Sequence, residues 1–459
     1  MQLWEALQVH KGDVISFVGA GGKTTAMCRL GRELVSLGWH VIVTTTTMIR
    51  PPSLGPMEDL VVSSDPAEAL CLVKESLHHN SLITLAAQRL ETENKLKGID
   101  LGLVETLINL ADAIIIEADG AKGRSLKAPA AYEPVVPIET TLFVPVVGVD
   151  VVGSTLGEEA VHRPQLVAEL TGLTPGEVIN ASVLAKLLVH EQGALKGAPA
   201  HARVMPFINK VQDDRALAIA RQIARQIKAA SPLDRVLIGA AATDNPVMEC
   251  WRRVSAVVLA AGASKRFGMP KQLLPIAGKT MIEHVLDAVM ATSVDEVIVV
   301  LGCSAEQITP CIPSACRTVW NEKWEAGMSS SICAGLEAID RRSEAALFVL
   351  ADQPLVTSSA LERILLAYYR TTKPIVASSC EGRRSPPALF DRCLFPELKA
   401  LHGDIGGRQV IARFEDKVVP VEVESPEICC DIDTDADYRR LLERIQAEQQ
   451  ASEGMNKAR

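Results

Sequence analysis

Two segments of the chain share one pattern that strongly restricts its fold. In each, an apolar strand pattern runs into a glycine-rich turn that carries a lysine, and a helical pattern follows, first over residues 13–37 and again over residues 254–290. A strand followed at once by a helix is typical of α/β domains. Glycine allows a tight turn whose main-chain N–H groups can point at phosphate oxygens. The 459-residue chain is therefore predicted to contain two α/β domains, each with a nucleotide site.

The domain prediction is residues 1–248 and 253–445, followed by a polar tail over residues 446–459. The connection over residues 243–253 is turn-rich and comes after the last predicted strand of the first domain. Three consecutive isoleucines at 114–116 favour strands covered on both faces, as in a parallel sheet. The predicted strands are residues 14–18, 41–45, 82–86, 113–117, 142–149, 204–209 and 236–238 in the first domain and 256–259, 296–301, 346–351 and 375–378 in the second.

Composition excludes several classes of protein. Lys and Arg number 47 against 56 Asp and Glu, and aromatic residues are only 4%, so neither the charge nor the stacking surfaces of a nucleic-acid-binding protein are expected. The 11 cysteines contain no CxxC pair, which favours reduced thiols in a cytoplasmic protein. The first residues lack the basic and apolar pattern of a signal peptide, and no apolar run reaches the roughly 18 residues of a membrane span.

The first glycine-rich turn, GAGGKTT at residues 19–25, predicts a P-loop-like NTPase domain. Lys23 is expected to reach the β- and γ-phosphates, and the Thr24 hydroxyl to bind Mg²⁺. Phe17 stands where the Walker pattern has its first glycine, so the loop is one residue shorter. The predicted nucleotide-binding residues of this domain are Gly19, Gly21, Gly22, Lys23, Thr24, Thr25, Asn209 and Lys210.

Polar residues follow two other predicted strands of the first domain. Hydroxyls at Thr44, Thr45, Thr46 and Thr47 are suited to phosphate or metal-bound water. Glu117 and Asp119 close a buried strand, where with Thr24 they are expected to hold a metal ion, and Gly120 permits a mobile loop near the γ-phosphate. The next loop is basic, so it is a candidate site for a second anionic ligand; its cations are Lys122, Arg124 and Lys127.

These motifs carry a family resemblance. The Gly-Lys-Thr-Thr turn and the spacing from Glu117 to Gly120 are similar to metal-insertion and accessory GTPases of the P-loop class. Asn209-Lys210 resembles their guanine-reading motif, but the acid, Asp213, comes one residue late, so GTP and ATP both stay open. Over residues 5–245 the chain resembles the selenium-dependent hydroxylase accessory family, also through the segments at 127–129 and 133–134. That resemblance implies a role in enzyme maturation.

The second turn, LAAGASKRFGMPK at residues 259–271, predicts a nucleotidyltransferase site. Its small residues allow the main chain to approach a triphosphate. Arg266 is expected to bind the β- and γ-phosphates and Lys271 to neutralise the α-phosphate during in-line attack. Together with Asp352 these are the predicted catalytic residues. The predicted nucleotide-binding residues are Leu259, Ala260, Ala261, Gly262, Ser264, Arg266, Lys271, Ser330 and Asp352.

Carboxylates near this turn predict a magnesium site. Asp352 ends a buried strand, where an unpartnered charge is costly and a bound Mg²⁺ compensates it. Asp431 and Asp433 alternate in an extended segment and so face the same side. Asp433 is predicted to be the second metal ligand.

Residues 254–445 resemble the molybdenum cofactor cytidylyltransferase family, through the turn above, Asn321 and the segments at 327–331, 383–387 and 403–408. The resemblance implies a GT-A-like (Rossmann-like) fold, CTP as donor, the phosphate of Mo-molybdopterin as acceptor and pyrophosphate as product. Guanylyltransferases of that group have Leu-Ala-Gly-Gly and Asp-Lys where this chain has LAAG and Pro270-Lys271, which favours CTP. Ser385 replaces a glycine of the family pattern, and its side chain is expected to narrow the pocket for the pterin.

The leading hypothesis is a bifunctional cytoplasmic enzyme that transfers CMP to Mo-molybdopterin. Its first domain would bind a second NTP, GTP or ATP, and the expected protein partner is a molybdenum hydroxylase apoenzyme. Two alternatives stay open. One is a nucleotidyltransferase acting on a sugar or alcohol phosphate, and the other is a carrier that holds the finished cofactor and uses both nucleotide sites as switches.

Overall fold

The computed structural model describes residues 1–459 except 52–54, 56, 232, 234, 265–266, 381 and 458–459. It divides into two compact units, Met1–Trp251 and Arg252–Arg459, called the N-terminal and C-terminal units. In the part of the chain that is described, no helix has the length and apolar character needed to cross a membrane.

The N-terminal unit alternates strands and helices. Its strands are β1 Asp13–Gly19, β2 Val41–Thr45, β3 Met48–Ile49, β4 Glu58–Val62, β5 Leu82–Ala86, β6 Gln88–Leu90, β7 Lys95–Lys97, β8 Ala113–Glu117, β9 Leu126–Lys127, β10 Leu142–Gly148, β11 Val161–His162, β12 Arg203–Val204, β13 Phe207–Asn209, β14 Arg235–Gly239 and β15 Val247–Arg252, whose last residue belongs to the next unit. Its helices are α1 Leu3–Ala6, α2 Lys23–Ser36, α3 Pro66–Leu77, α4 Gly102–Leu107, α5 Pro164–Thr171, α6 Ala181–Val189 and α7 Asp214–Ala230.

The main sheet of this unit has the strand order β15-β14-β13-β10-β1-β8-β2-β5-β4, with β12 also paired to β10. Every pairing from β14 to β4 in that order is parallel. The carboxyl ends of these strands therefore meet at one edge of the sheet. Gly19, Thr45, Glu117 and Asn209 all end strands there, so residues far apart in sequence are brought to the same edge.

The core of the N-terminal unit explains why its strands are continuously apolar. Ile115 packs in one cluster with Ile15, Phe17 and Leu30 of α2, whereas Ile114 and Ile116 pack in a second cluster with α3 and α4. Side chains alternate between the two faces of a strand, so both faces are buried and every position of β8 must be apolar. This arrangement agrees with the covered parallel sheet predicted from the isoleucine run.

The C-terminal unit has a smaller, mixed sheet. Its strands are β16 Val254–Ala260, β17 Pro275–Ile276, β18 Lys279–Thr280, β19 Glu296–Leu301, β20 Arg317–Trp320, β21 Ala345–Leu350, β22 Ile375–Cys380, β23 Arg383–Asp391 and β24 Val418–Glu422. Its helices are α8 Met281–Met290, α9 Ala305–Ile308, α10 Met328–Ala338, α11 Ser358–Tyr369, α12 Phe395–Lys399, α13 Arg408–Arg413 and α14 Asp435–Lys457. Helix α14 includes most of the segment predicted as a polar tail.

The seven-stranded sheet has the order β20-β19-β16-β21-β23-β22-β24. Strands β20, β19, β16 and β21 run parallel to one another, whereas β23 runs antiparallel to both β21 and β22. In the register of β16 with β21, Leu259 pairs with Leu350. The loop after β16 and Asp352 after β21 therefore leave the same edge of the sheet side by side.

Two strand predictions were wrong in instructive ways. The predicted strand over residues 204–209 is interrupted: β12 and β13 both pair with β10, and Pro206 between them has no N–H for the ladder. The stretch predicted as a turn-rich connection contains strand β15. The alternation of apolar and polar residues expected of a strand is missing from this sequence, because the charged Glu249 is one of the buried residues. Arg221 forms an ion pair with it.

Candidate nucleotide sites

The first glycine-rich turn joins β1 to α2, and its glycines are required by geometry. Gly21 and Gly22 have φ values of +86° and +110°, which residues with a side chain rarely adopt. A Cβ on Gly21 would lie 2.1 Å from the main-chain nitrogen of Gly148, and one on Gly22 would lie 2.6 Å from the Asn209 amide nitrogen. The loop is therefore packed against the ends of β10 and β13.

Lys23 begins α2 and is buried, with 4% of its surface exposed. Its ammonium donates to the Gly19 carbonyl at 2.6 Å and forms ion pairs with Asp119 at 3.0 Å and Glu117 at 3.6 Å. Burial lowers the pKa of Lys23, but the charges of Asp119 and Glu117 outweigh that effect and raise it. Lys23 is therefore a fixed positive charge beneath the loop.

The predicted metal group of this unit is only partly assembled. The Thr24 hydroxyl donates to Glu117 at 2.8 Å, a pairing suited to a Mg²⁺ ion or its water. Burial raises the pKa of Glu117 despite nearby Lys23. Asp119 instead accepts from the Gly19 N–H and contacts Lys23 and Lys127. Within the described residues, no group of three or more His, Cys, Asp and Glu side chains is arranged to hold a metal ion.

Three of the four threonines at the end of β2 stabilise the main chain. Thr44 donates to the Leu85 carbonyl, Thr45 to the Glu117 carbonyl and Thr46 to the Val135 carbonyl. Their hydroxyl protons are therefore used within the fold, which is a different role from the predicted phosphate or water contacts. Sequence alone could not show this, because the carbonyl partners are far from the threonines along the chain.

The residues predicted to read a guanine base also have internal partners. The buried Asn209 amide donates to the Gly21 carbonyl at 2.8 Å, and its oxygen accepts from the Ala241 N–H at 2.9 Å. Lys210 donates to Ser125 and pairs with Asp150. Asp213 caps the start of α7. Asn209 therefore positions the glycine-rich turn. The side chains of Asn209, Lys210 and Asp213 all have partners within the unit, so in this structure none of the three is left to read a base.

The loop after β8 is less basic than its composition suggests. Lys127 is buried and its ammonium contacts Asp119 at 2.9 Å, Glu133 at 2.8 Å and the Gly120 carbonyl at 2.7 Å. Arg163 also pairs with Glu133, at 2.7 Å. Lys127 is thus neutralised inside the unit, whereas Lys122, Arg124 and Thr25 are exposed. Of the three cations predicted to form a second anion site, Lys127 is already paired within the unit, whereas Lys122 and Arg124 are on the surface.

Glu133 makes a testable contribution to acid stability. Burial raises the pKa of Glu133, but hydrogen bonds from Arg163 and Lys127 outweigh that effect and lower the pKa from 4.5 to about 2. A carboxyl whose folded-state pKa is depressed stabilises the fold above its unfolded pKa and loses that contribution as pH falls through the folded value. We expect wild type to be more stable than Glu133→Gln at pH 7, and the two to converge between pH 4.5 and 2. Urea titrations across this range measure the difference; a constant gap would contradict the assignment.

In the C-terminal unit, the loop after β16 is held by two side chains. Ser264, at φ +47°, accepts from the Lys271 N–H at 2.9 Å. Gln272 is buried and its amide donates to the carbonyls of Ala260 and Gly262 at 3.3 and 3.4 Å. Gln272 was missed from the sequence; its only signal was its position directly after Lys271. Arg266 lies outside the described residues, so its predicted role stays a prediction.

Lys271, Asp352 and Asp433 meet at this edge of the sheet. The Lys271 ammonium lies 2.6 Å from Asp352 and 2.9 Å from Asp433. Burial lowers the pKa of Lys271, but the two carboxylates outweigh it and raise it. The structure thus brings together three residues predicted to act on one triphosphate, although 162 positions separate Lys271 from Asp433.

A second polar group adjoins Asp352. The buried Gln353 amide donates to Asp431 at 2.9 Å, and burial followed by the nearby charge of Asp352 raises the pKa of Asp431. Arg408 donates to the Ser385 hydroxyl at 3.1 Å. Gln353 was another residue that the sequence reasoning missed, although it directly follows Asp352.

Ser330 has a more local role than predicted. Its hydroxyl donates to the Gly327 carbonyl and accepts from the Asn321 amide, both at 2.8 Å, and the same amide also reaches Ser331 at 3.0 Å. These bonds fix the start of α10. Leu259 and Ala260 are the last residues of β16, where the main chain enters the loop.

The donor set at Lys271 is compatible with a divalent cation. Asp352 and Asp433 both reach one ammonium, so their oxygens are close together and carry one negative charge more than Lys271 neutralises. Carboxylate oxygens are the ligands that Mg²⁺ prefers. If Lys271 turns towards a phosphate, the two carboxylates are left facing one another without a cation.

The two units match two different families. The YqeC protein family matches residues 15–165, and the MobA-like NTP transferase domain family matches residues 256–418. The protein YqeC of Escherichia coli (strain K12) is 36% identical over 204 residues, which are 43% of this chain and 75% of that protein. Nicotine blue oxidoreductase of Paenarthrobacter nicotinovorans is 32% identical over 199 residues, 41% of this chain and 96% of that protein. The crystal structure of Rv0371c from Mycobacterium tuberculosis H37Rv shares 32% identity, covers 42% of this chain and 98% of that chain, and has a TM-score of 0.38.

Proposed function

The chain belongs to the YqeC family in its N-terminal unit and to the MobA-like NTP transferases in its C-terminal unit, and on that premise we propose that it is a CTP:molybdopterin cytidylyltransferase fused to a second nucleotide-binding unit. The C-terminal unit would transfer CMP from CTP to the phosphate of Mo-molybdopterin. The fold is mixed α/β, and nucleotidyl transfer is the reaction class that its family supports.

The observation that carries this proposal is Lys271 between Asp352 and Asp433, beside a small-residue loop at the carboxyl edge of β16 and β21. A triphosphate laid along residues 260–264 would meet the Lys271 ammonium at its α-phosphate. The two carboxylates hold the Lys271 ammonium beside this loop, from where it would turn to the α-phosphate and stabilise the charge that develops there.

The reaction requires no strong base. An anionic phosphate oxygen of the acceptor attacks the α-phosphorus of CTP, and the bond from that phosphorus to the bridging oxygen of the β-phosphate breaks. Pyrophosphate leaves with the bonding electron pair. Lys271 neutralises the α-phosphate. Gln272 and Ser264 hold the loop and the main chain of Lys271 in place through their hydrogen bonds. Mg²⁺, held by Asp352 and Asp433, would supply further charge neutralisation when bound.

The N-terminal unit would bind GTP or ATP in a P-loop-like site. The parallel sheet, the glycine turn after β1, the buried Lys23 and the pairing of Thr24 with Glu117 support that reading. Its nucleotide cycle would couple cofactor synthesis in the cytoplasm to maturation of a molybdenum hydroxylase apoenzyme, including selenium-dependent ones. Loss of GTP and ATP binding in Lys23→Ala tests the site itself.

The decisive experiment is pyrophosphate release by the full chain with Mg²⁺ and Mo-molybdopterin, comparing CTP, GTP and ATP. We expect release with CTP, and a loss of about 10²-fold or more in Asp352→Asn, because the variant removes a carboxylate that orients Lys271 and holds the metal. Asp287→Asn is the matched control, since Asp287 is exposed and pairs with Lys279. Release only with a sugar or alcohol phosphate would replace the proposed acceptor.

One relative favours a second candidate. The protein named nicotine blue oxidoreductase aligns along 96% of its length, so a redox reaction at the site around Lys271 is the alternative. The ionic group at Lys271 favours phosphate transfer, because hydride or electron transfer has no need of a lysine shared by two carboxylates. Substrate oxidation or reduction without pyrophosphate would support this candidate. Stoichiometric retention of the cofactor without either reaction would support a carrier.

A further inference from the structure

Asp119 lies where the phosphate-binding groups of the N-terminal unit converge. It is 2% exposed, and both of its oxygens accept from the Gly19 N–H, each at 3.1 Å. One oxygen is 3.0 Å from the Lys23 ammonium, and the other is 2.9 Å from Lys127. The Asp119 carboxylate therefore already accepts the hydrogen bond from the Gly19 N–H and pairs with the Lys23 ammonium, the two groups that a nucleotide phosphate would need.

We propose that Asp119 is an internal anion that competes with the nucleotide for Gly19 and Lys23. This inference rests on the proposed nucleotide site of the N-terminal unit. Two anions on one ammonium repel each other at short range in a buried environment, so Lys23 and the Gly19 N–H leave Asp119 when a phosphate binds. The sequence had suggested the opposite role, in which Asp119 assists binding as a metal ligand.

A chain of further ion pairs stabilises the Asp119 carboxylate after Lys23 has left it. Lys127 already contacts it and is shared with Glu133, which Arg163 holds as well. When Lys23 turns to the phosphate, Asp119 keeps Lys127, and Glu133 keeps Arg163. Asp119 and Glu133 thus each keep a cation after the exchange, which lowers its cost, and Glu117, which also pairs with Lys23, keeps the hydrogen bond from Thr24.

The test measures binding of fluorescent GTP and ATP analogues to the full chain, with and without Mg²⁺. The component that disappears in Lys23→Ala belongs to the N-terminal unit. We expect Asp119→Asn to bind at least about 10-fold more tightly in both conditions, because the neutral amide keeps the shape and removes the competing charge. A metal ligand at this position would instead give weaker binding, and only with Mg²⁺.

Glu133→Gln is the matched control, because it removes an equal charge from the same ion-pair chain without touching Lys23 or Gly19. Its affinity should change far less than that of Asp119→Asn. Lys127→Gln should weaken binding, since Asp119 then depends on Lys23 alone; this variant gives an answer even if Asp119→Asn does not fold.

Unchanged or weaker binding in Asp119→Asn, an equal gain in Glu133→Gln, or tighter binding in Lys127→Gln would each overturn the proposal. If wild type shows no component that depends on Lys23, the nucleotide site itself fails, which is a distinguishable result.

Discussion

Replacing Lys271 by alanine should slow CMP transfer by about 10²- to 10³-fold, the cost of losing one preorganised group that stabilises transition-state charge. The lysine is held by Asp352 and Asp433 before substrate arrives, so its removal also leaves two carboxylates facing the triphosphate. We expect kcat and kcat/KM to fall together, because the interaction with the α-phosphate strengthens as the new bond forms. Initial rates of pyrophosphate release at varied CTP measure both constants.

Lys279→Ala provides the control for charge and stability. Lys279 is exposed and pairs with Asp287 on the neighbouring helix, so its loss removes the same charge without changing the group formed by Lys271, Asp352 and Asp433. Its rate should stay within a factor of about two of wild type, since exposed ion pairs contribute little. Full turnover in Lys271→Ala would remove this lysine from the catalytic group and with it the central observation behind the proposed reaction.

The sequence was sufficient to place residues at strand ends, because strand ends in α/β folds have a strong local signature. The buried strands before Lys23, Glu117 and Asp352 were each recognisable as short apolar runs, and parallel pairing then brings their carboxyl ends together. Alternation predicted only that Asp431 and Asp433 face the same side; the structure places Asp433 at 2.9 Å from Lys271, and its role as a metal ligand stays a prediction.

Hydrogen-bond partners were not predictable in the same way. Thr44 and Asn209 have the side chains of ligand-binding residues, yet their donors are used by carbonyls of Leu85 and Gly21, which only the folded sheet brings near. Gln272 shows the converse: an amide with no motif of its own closes the loop after β16. Local pattern identifies which chemistry a residue offers, whereas three-dimensional neighbours decide whether that chemistry is left for a ligand.

Replacing Lys23 should strongly destabilise the N-terminal unit. Its ammonium pairs with Glu117 and shares Asp119 with Lys127, so removal of Lys23 leaves Glu117 as the uncompensated charge; Lys23, Glu117 and Asp119 are almost fully buried. Removing one partner of a buried ion pair costs about 3–5 kcal/mol, because the remaining charge keeps its desolvation penalty without compensation. We therefore expect Lys23→Met to lower the free energy of unfolding by about that amount, measured by urea titration of the full chain.

The double variant Lys23→Met/Glu117→Gln isolates the cause. If uncompensated charge is responsible, neutralising Glu117 recovers part of the loss, and the two substitutions are non-additive. Burial raises the pKa of Glu117 even in the presence of Lys23. A carboxyl with a raised folded-state pKa is destabilising once pH rises through that value, so the defect of Lys23→Met should shrink as pH falls towards 4.5. A defect independent of pH and unrelieved by Glu117→Gln would assign the loss to packing around α2 instead of charge.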